Sequence, residues 1–260
     1  MEQVEQSMPE RTQIVAEICQ LLESHLAKDS SVVAVFLNGS QAIGRATPDS
    51  DVDFTVLVTN EVAVVQIQDR IADLFEKIDP CHGVAQYRYA HVCLCISIFP
   101  KSDVLGWVED AFRSADQLLS SQAVLQHKFV ESIPVLDPDG LLAHFQARLT
   151  DYPDNIAEEI LSRSVAYLRS EYLDDWGFRN IFHYSYCLQD ILEHIGQALY
   201  AKNRRFYMPA LKRWPGDLPT LKPNLENELA EMVSISPGCD LDNKRQALER
   251  IISRLEDRTY

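Results

Sequence analysis

Two aspartates one residue apart, Asp51 and Asp53, open a run in which Val52, Phe54, Val56 and Val58 alternate as they would along a β-strand. Side chains two apart on a strand share a face. Both carboxylates are therefore expected to project side by side, while Val52 and Phe54 turn toward the core. Neighbouring carboxylates repel one another unless a cation joins them. Mg²⁺ suits the pair, because it prefers oxygen ligands and is commonly held by one or two carboxylates plus substrate phosphates. Upstream, Asn38-Gly39-Ser40 closes a β-rich run from Val32 to Leu37. Gly39 permits close approach of the backbone to a phosphate, and Ser40, at the start of a helical turn, offers a hydroxyl and an N–H to the same anion. A P-loop is excluded, since no Gly-x-x-x-x-Gly-Lys follows a strand. The plain alternative is a surface strand whose aspartates solubilise an edge.

The stretch Leu37 to Val58, with Gly39-Ser40 followed by Pro48-Asp49-Ser50-Asp51-Val52-Asp53, resembles the signature of the DNA polymerase β-like nucleotidyltransferases. A catalytic domain followed by a helical bundle is similar to the bacterial aminoglycoside and lincosamide adenylyltransferases. The resemblance implies an N-terminal nucleotidyltransferase α/β domain with a mixed sheet and a C-terminal helical bundle, an α+β chain in all. It implies Asp51 and Asp53 as catalytic residues and Mg²⁺ ligands. It also implies ATP or another NTP as substrate, with Gly39, Ser40, Ser50 and Lys212 as nucleotide contacts. For Lys212 and Arg205, ordinary surface charge is the competing reading. AMP would pass to a hydroxyl of a small molecule, an antibiotic-like acceptor included.

The family usually carries a third carboxylate on a neighbouring strand, and the corresponding run here, His91 to Phe99, presents His91, Cys93, Cys95 and Ser97 on one face. Cys95 or Cys93 stands where an acid is expected. Three readings stay open: a base on the helical half (Glu158, Glu159, Asp190 or Glu193), His91 as base, or a nucleotide-binding or regulatory protein with weak or lost transfer. A protein or RNA acceptor is a further alternative. Zinc on His91, Cys93 and Cys95 is disfavoured, because adjacent side chains of one strand rarely converge on a tetrahedral ion.

Around this motif the periodicities predict a helix from Arg11 to Ala27, a strand from Val32 to Leu37, and a helix capped by Asn60 running to Ile78. Val84 to Phe99 reads as one or two strands, Ser102 to Lys128 as two helices, and Val130 to Leu136 as a strand before the turn Asp137-Pro138-Asp139-Gly140. Thereafter amphipathic helical segments run over 155–172, 178–201, 222–233 and 241–257, which gives domains at 1–140 and 141–260. The aromatic residues Tyr167, Tyr172, Trp176, Phe178, Phe182, Tyr184 and Tyr186 are assigned mostly to the bundle core.

Composition bounds the partners. Lys plus Arg is 24 and Asp plus Glu is 39, a formal charge of −15. That field repels a phosphate backbone, so nucleic acid is disfavoured as a general partner, whereas a cationic small molecule is attracted. The six cysteines are dispersed without a two-residue spacing, and the polar N-terminus does not read as a signal peptide. No apolar run approaches the ~20 residues that cross a bilayer. The expected location is a reduced cytoplasm, with no membrane partner.

Overall fold

The computed structural model describes residues 8–81, 84–173, 178–207, 214–234 and 240–257. The chain divides into two compact units, Met1–Ala111 with Val124–Asp151, and Phe112–Ala123 with Tyr152–Tyr260. The fold is α+β, a six-stranded mixed sheet in the first unit and helices in the second.

In the first unit α1 (Met8–Leu26) leads into β1 (Val32–Asn38), a single turn α2 (Gly39–Ala42) and β2 (Val52–Val58). Then come α3 (Glu61–Leu74), β3 (Glu76–Cys81), β4 (Val84–Tyr89), β5 (Val92–Pro100) and α4 (Lys101–Asp110). Helix α5 (Ala115–Leu125) belongs to the second unit as far as Ala123, and the first unit resumes with a π-helical turn (Gln126–Val130), β6 (Ile133–Leu136) and α6 (Leu141–Thr150). The strand order is β3-β4-β5-β2-β1-β6. β2 and β5 pair in parallel, and the other neighbours are antiparallel.

Strand alternation decides the layers. Val35, Leu37, Val52, Phe54, Val56, Leu94 and Ile96 join one core with Ile18 and Leu22 of α1 and Ile67 and Ile71 of α3. Each such fully buried side chain contributes about 1.5–3 kcal/mol. The intervening residues Phe36, Asn38, Asp53, Thr55, Cys95 and Ser97 face the other way, where Phe36 meets Phe129 edge-on and Phe129 meets Phe145 of α6. Asn60 caps α3 as expected, its side chain accepting from the Ala63 N–H at 3.1 Å.

Three local expectations are corrected. Helix α3 stops at Leu74, not Ile78, because Phe75 turns extended and Glu76 to Ile78 pair with Gln86 to Arg88 of β4; cross-strand pairing outweighs the weak helical preference of Glu-Lys-Ile-Asp. The strand assigned to Val130–Leu136 begins at Ile133, and Val130 closes the π turn. Helix α6 was not expected from the periodicity; Asp137 starts it by accepting the N–H groups of Leu141 and Leu142 at 2.8 and 2.9 Å.

The second unit contains α7 (Asp154–Tyr167) running into a π-helical segment (Leu168–Leu173), α8 (Ile181–Lys202), the turns α9 (Trp214–Asp217) and Leu218–Thr220, α10 (Glu226–Val233) and α11 (Leu241–Glu256). Its core joins Leu168, Tyr184, Ile191, Ile195, Leu199, Met232, Leu248 and Ile252. Of the aromatic residues assigned to this core, Tyr172 and Tyr184 are buried, but Phe182 and Tyr186 are 85% and 84% exposed. They stand four apart on the solvent face of α8, opposite the buried stripe. Trp176 lies outside the described residues.

Candidate active site

The site is built where β1, β2 and β5 run side by side. Asn38, the last residue of β1, faces Asp53 in the antiparallel register, so the chain turning away at Gly39-Ser40 leaves the sheet beside that carboxylate. Gly39 has φ +66°, a left-handed conformation that costs a residue with a Cβ about 1–2 kcal/mol. Asp51 immediately precedes β2 rather than lying within it, and it is exposed; Asp53 is half-buried. One ligand atom from each of Asp51, Asp53 and Cys95 lies within 4.8 Å of the others. The structure thus brings Asp51 and Asp53 together and sets the Gly39-Ser40 turn next to them.

Two buried networks hold this geometry. Asn38 donates to Thr55 Oγ1 at 2.8 Å and accepts from Ser132 Oγ at 2.8 Å, and all three residues are buried. That chain ties β1, β2 and the segment before β6 together. On the other side, the buried guanidinium of Arg11 in α1 donates to the carbonyl oxygens of Pro48, at 2.7 Å, and Ser50. The loop that delivers Asp51 is therefore strapped to the first helix.

The hydroxyl of Ser50, one of the expected nucleotide contacts, takes part in a local turn, accepting from the Thr47 N–H at 2.9 Å and sharing a hydrogen bond with Thr47 Oγ1 at 3.0 Å. Arg205 donates to Thr220 Oγ1 at 2.9 Å within the second unit. Lys212 lies outside the described residues.

Parallel pairing of β2 with β5 puts Cys95 directly opposite Asp53. The Cys95 thiol donates to Asp51 Oδ2 at 3.3 Å and accepts from Gln86 Nε2 at 3.7 Å. Burial, the hydrogen bond to Asp51 and the charges of Asp51 and Asp53 push this thiol up to about 12. It stays protonated at neutral pH, so the position opposite Asp53 carries no negative charge. Cys93 is exposed, and His91 sits exposed in the turn before β5. Two carboxylates beside a neutral thiol are an oxygen donor set fitted to a hard divalent ion such as Mg²⁺.

One residue absent from the sequence reading joins the site. Lys128, in the π turn, donates through Nζ to Ser97 Oγ at 3.2 Å, two residues beyond Cys95 on the same face of β5. Burial presses its ammonium below the ordinary lysine pKa, and the charges of Asp53 and Asp51 act in the opposite sense. The acidic candidates Glu158 and Glu159 (α7) and Asp190 and Glu193 (α8) belong to the second unit. The first two line a groove of about 990 Å³ with Arg169 and Arg204, and the others line a cavity of about 450 Å³ with Tyr172 and Tyr186.

Residues 18–101 match the family model described as "Nucleotidyltransferase domain". No curated protein matches the chain. Among solved structures, a nucleotidyltransferase-like protein from Exiguobacterium sibiricum is similar at 13% identity and TM-score 0.40, covering 92% of this chain and 74% of that one. A spectinomycin adenyltransferase from Enterococcus faecialis, solved with ATP and spectinomycin, is similar at 10% identity and TM-score 0.36, covering 95% and 99%.

Proposed function

We propose that this nucleotidyltransferase moves a nucleoside monophosphate, AMP, from ATP to a hydroxyl of a small-molecule acceptor, with Mg²⁺ held by Asp51 and Asp53. The observation that carries the reading is the register of β1 on β2. It sets the Gly39-Ser40 turn against two converging carboxylates, within the segment that matches the nucleotidyltransferase domain. Asp51 and Asp53 supply the oxygen ligands; the backbone at Gly39 and the Ser40 hydroxyl back the phosphates. The acceptor hydroxyl gives up its proton to water as its oxygen forms a bond to the α-phosphorus in line and the bond to pyrophosphate breaks. An ion held by Asp51 and Asp53 would supply charge neutralisation on the phosphate oxygens and the departing pyrophosphate.

A formal charge of −15 supports a small and preferably cationic acceptor over nucleic acid. The described cysteines Cys19, Cys93, Cys95 and Cys187 are free thiols, which supports a reducing, cytoplasmic setting. No helix among the described residues is long and apolar enough to cross a membrane.

A second reading, nucleotide binding with slow transfer, is favoured by the neutral Cys95 opposite Asp53. Incubation with α-labelled ATP, Mg²⁺ and a panel of amino-sugar and other hydroxyl acceptors separates the two through pyrophosphate release and the size of the labelled product. Label on a macromolecule from lysate would shift the acceptor to a protein. Asp53→Asn should abolish metal-dependent transfer while leaving the thermal transition in place, and turnover retained in that variant would refute the site.

A further inference from the structure

The site has a cation of its own. Lys128 sits in a π-helical turn that is pinned on several sides. Phe129 is buried between Phe36 and Phe145. The Gln146 amide donates to the backbone carbonyls of Phe129, Val130 and Ser132 at 3.2, 3.3 and 3.1 Å. Ser132 in turn donates to Asn38 at the end of β1. A π turn interrupts regular helical hydrogen bonding and persists where its surroundings enforce it. Here they direct a partly buried ammonium onto the face of β5 that bears Cys95 and Ser97. Its hydrogen-bond partner among the described residues is a neutral hydroxyl, so donors remain for an anion.

Charge at the site gives this placement its meaning. Asp51 and Asp53 are two carboxylates, the residue opposite Asp53 is a cysteine where a third acid would stand, and Lys128 adds an ammonium. With no third carboxylate beside the pair, a second ion would have to draw most of its ligands from the phosphates and water, whereas one ion is served by these two side chains and the phosphates. We propose that Lys128 takes the place of a second metal: the enzyme binds one divalent ion per nucleotide, and the Lys128 ammonium contacts the triphosphate as a fixed point charge. Lysine serves phosphate in this way because its ammonium is a compact charge with three donors. This inference rests on the Asp51–Asp53 metal site proposed above.

Lys128→Met keeps the length and apolar stem of the side chain, and Lys128→Gln keeps a donor without charge. Mn²⁺ is titrated into each protein, followed by its electron spin resonance signal, with and without a non-hydrolysable ATP analogue. In the intact enzyme one Mn²⁺ should bind per analogue; two would overturn the proposal. Both variants should bind the analogue at least about tenfold more weakly, through the lost charge on phosphate. Both should bind bare Mn²⁺ about three- to tenfold more tightly, because the ion no longer contends with a neighbouring positive charge. Lys128→Arg should recover most of the analogue affinity. Opposite changes in the two affinities are the signature, since a lysine that merely anchors Ser97 would move both together or neither, and either pattern overturns the proposal. Asp53→Asn is the control for the underlying reading. If it leaves Mn²⁺ binding intact, the metal site itself is wrong; if it abolishes binding while Lys128 variants change nothing, only the lysine's role fails.

Discussion

Arg11 offers the sharpest test of how the acidic loop is held. Its guanidinium is buried and donates to the carbonyl oxygens of Pro48 and Ser50, so it connects α1 to the residues immediately before Asp51. Replacing it with methionine keeps much of the volume and removes both bonds. A hydrogen bond from a charged donor is worth about 1.5–3 kcal/mol, and the released carbonyls recover part of that by meeting water, which leaves a loss of about 2–4 kcal/mol. Denaturant unfolding of the first unit should register this as a lower midpoint with an unchanged slope. The larger consequence is for the proposed metal site: a loosened support behind a ligand typically lowers metal affinity about 10–100-fold. Mn²⁺ titration of Arg11→Met should therefore show at least a tenfold weaker dissociation constant while Asp51 and Asp53 are both present. An affinity within twofold of the parent would refute the reasoning, since Asp51 would then be held without the strap.

Two further outcomes follow from shifted ionisation. With the Cys95 thiol pushed up to about 12, roughly one molecule in ten thousand carries the thiolate at pH 8. In a Cys93→Ser background its alkylation by iodoacetamide, read by mass spectrometry, should keep rising beyond pH 10, and Asp51→Asn should accelerate it; a plateau below pH 9 would contradict the geometry. Asp29 is held below the ordinary carboxylate range by the backbone N–H and then the hydroxyl of Ser31, with Arg70 contributing at 2.9 Å. Its stabilisation is thus present above the unfolded value near 4 and lost as pH falls through the lower folded value. The stability difference between the parent and Asp29→Asn, present at pH 7 and small after solvent screening, should shrink as pH falls and vanish below the lowered folded value.

The pair Asp51 and Asp53 was legible because two carboxylates in strand spacing constrain geometry by themselves, and the alternation of Val52, Phe54, Val56 and Val58 announces which face is buried. Asn60 was legible for the same kind of reason, a cap being a local device. Lys128 was not. It ends an amphipathic stretch in which a lysine reads as solvated, and nothing in a 3.6-residue period announces a π turn or the Gln146 amide that supports it. Arg11 is similar: on a helix whose buried stripe is Ile14, Ile18 and Leu22 it looks like surface, and its loop partners exist only after the sheet has formed. The strand Glu76–Cys81 was hidden by Glu76 and Lys77, which favour helix in isolation and are exposed on an edge strand, where pairing with β4 decides the outcome.

The chain from Thr55 through Asn38 to Ser132 joins three stretches that are remote in sequence, and it does so through hydrogen bonds between buried side chains. The conformational entropy of arranging the Gly39-Ser40 turn, the acidic strand and the lysine loop is therefore surrendered when the protein folds. A nucleotide bound as proposed would meet a cradle already in place, so more of its contact energy would survive as affinity.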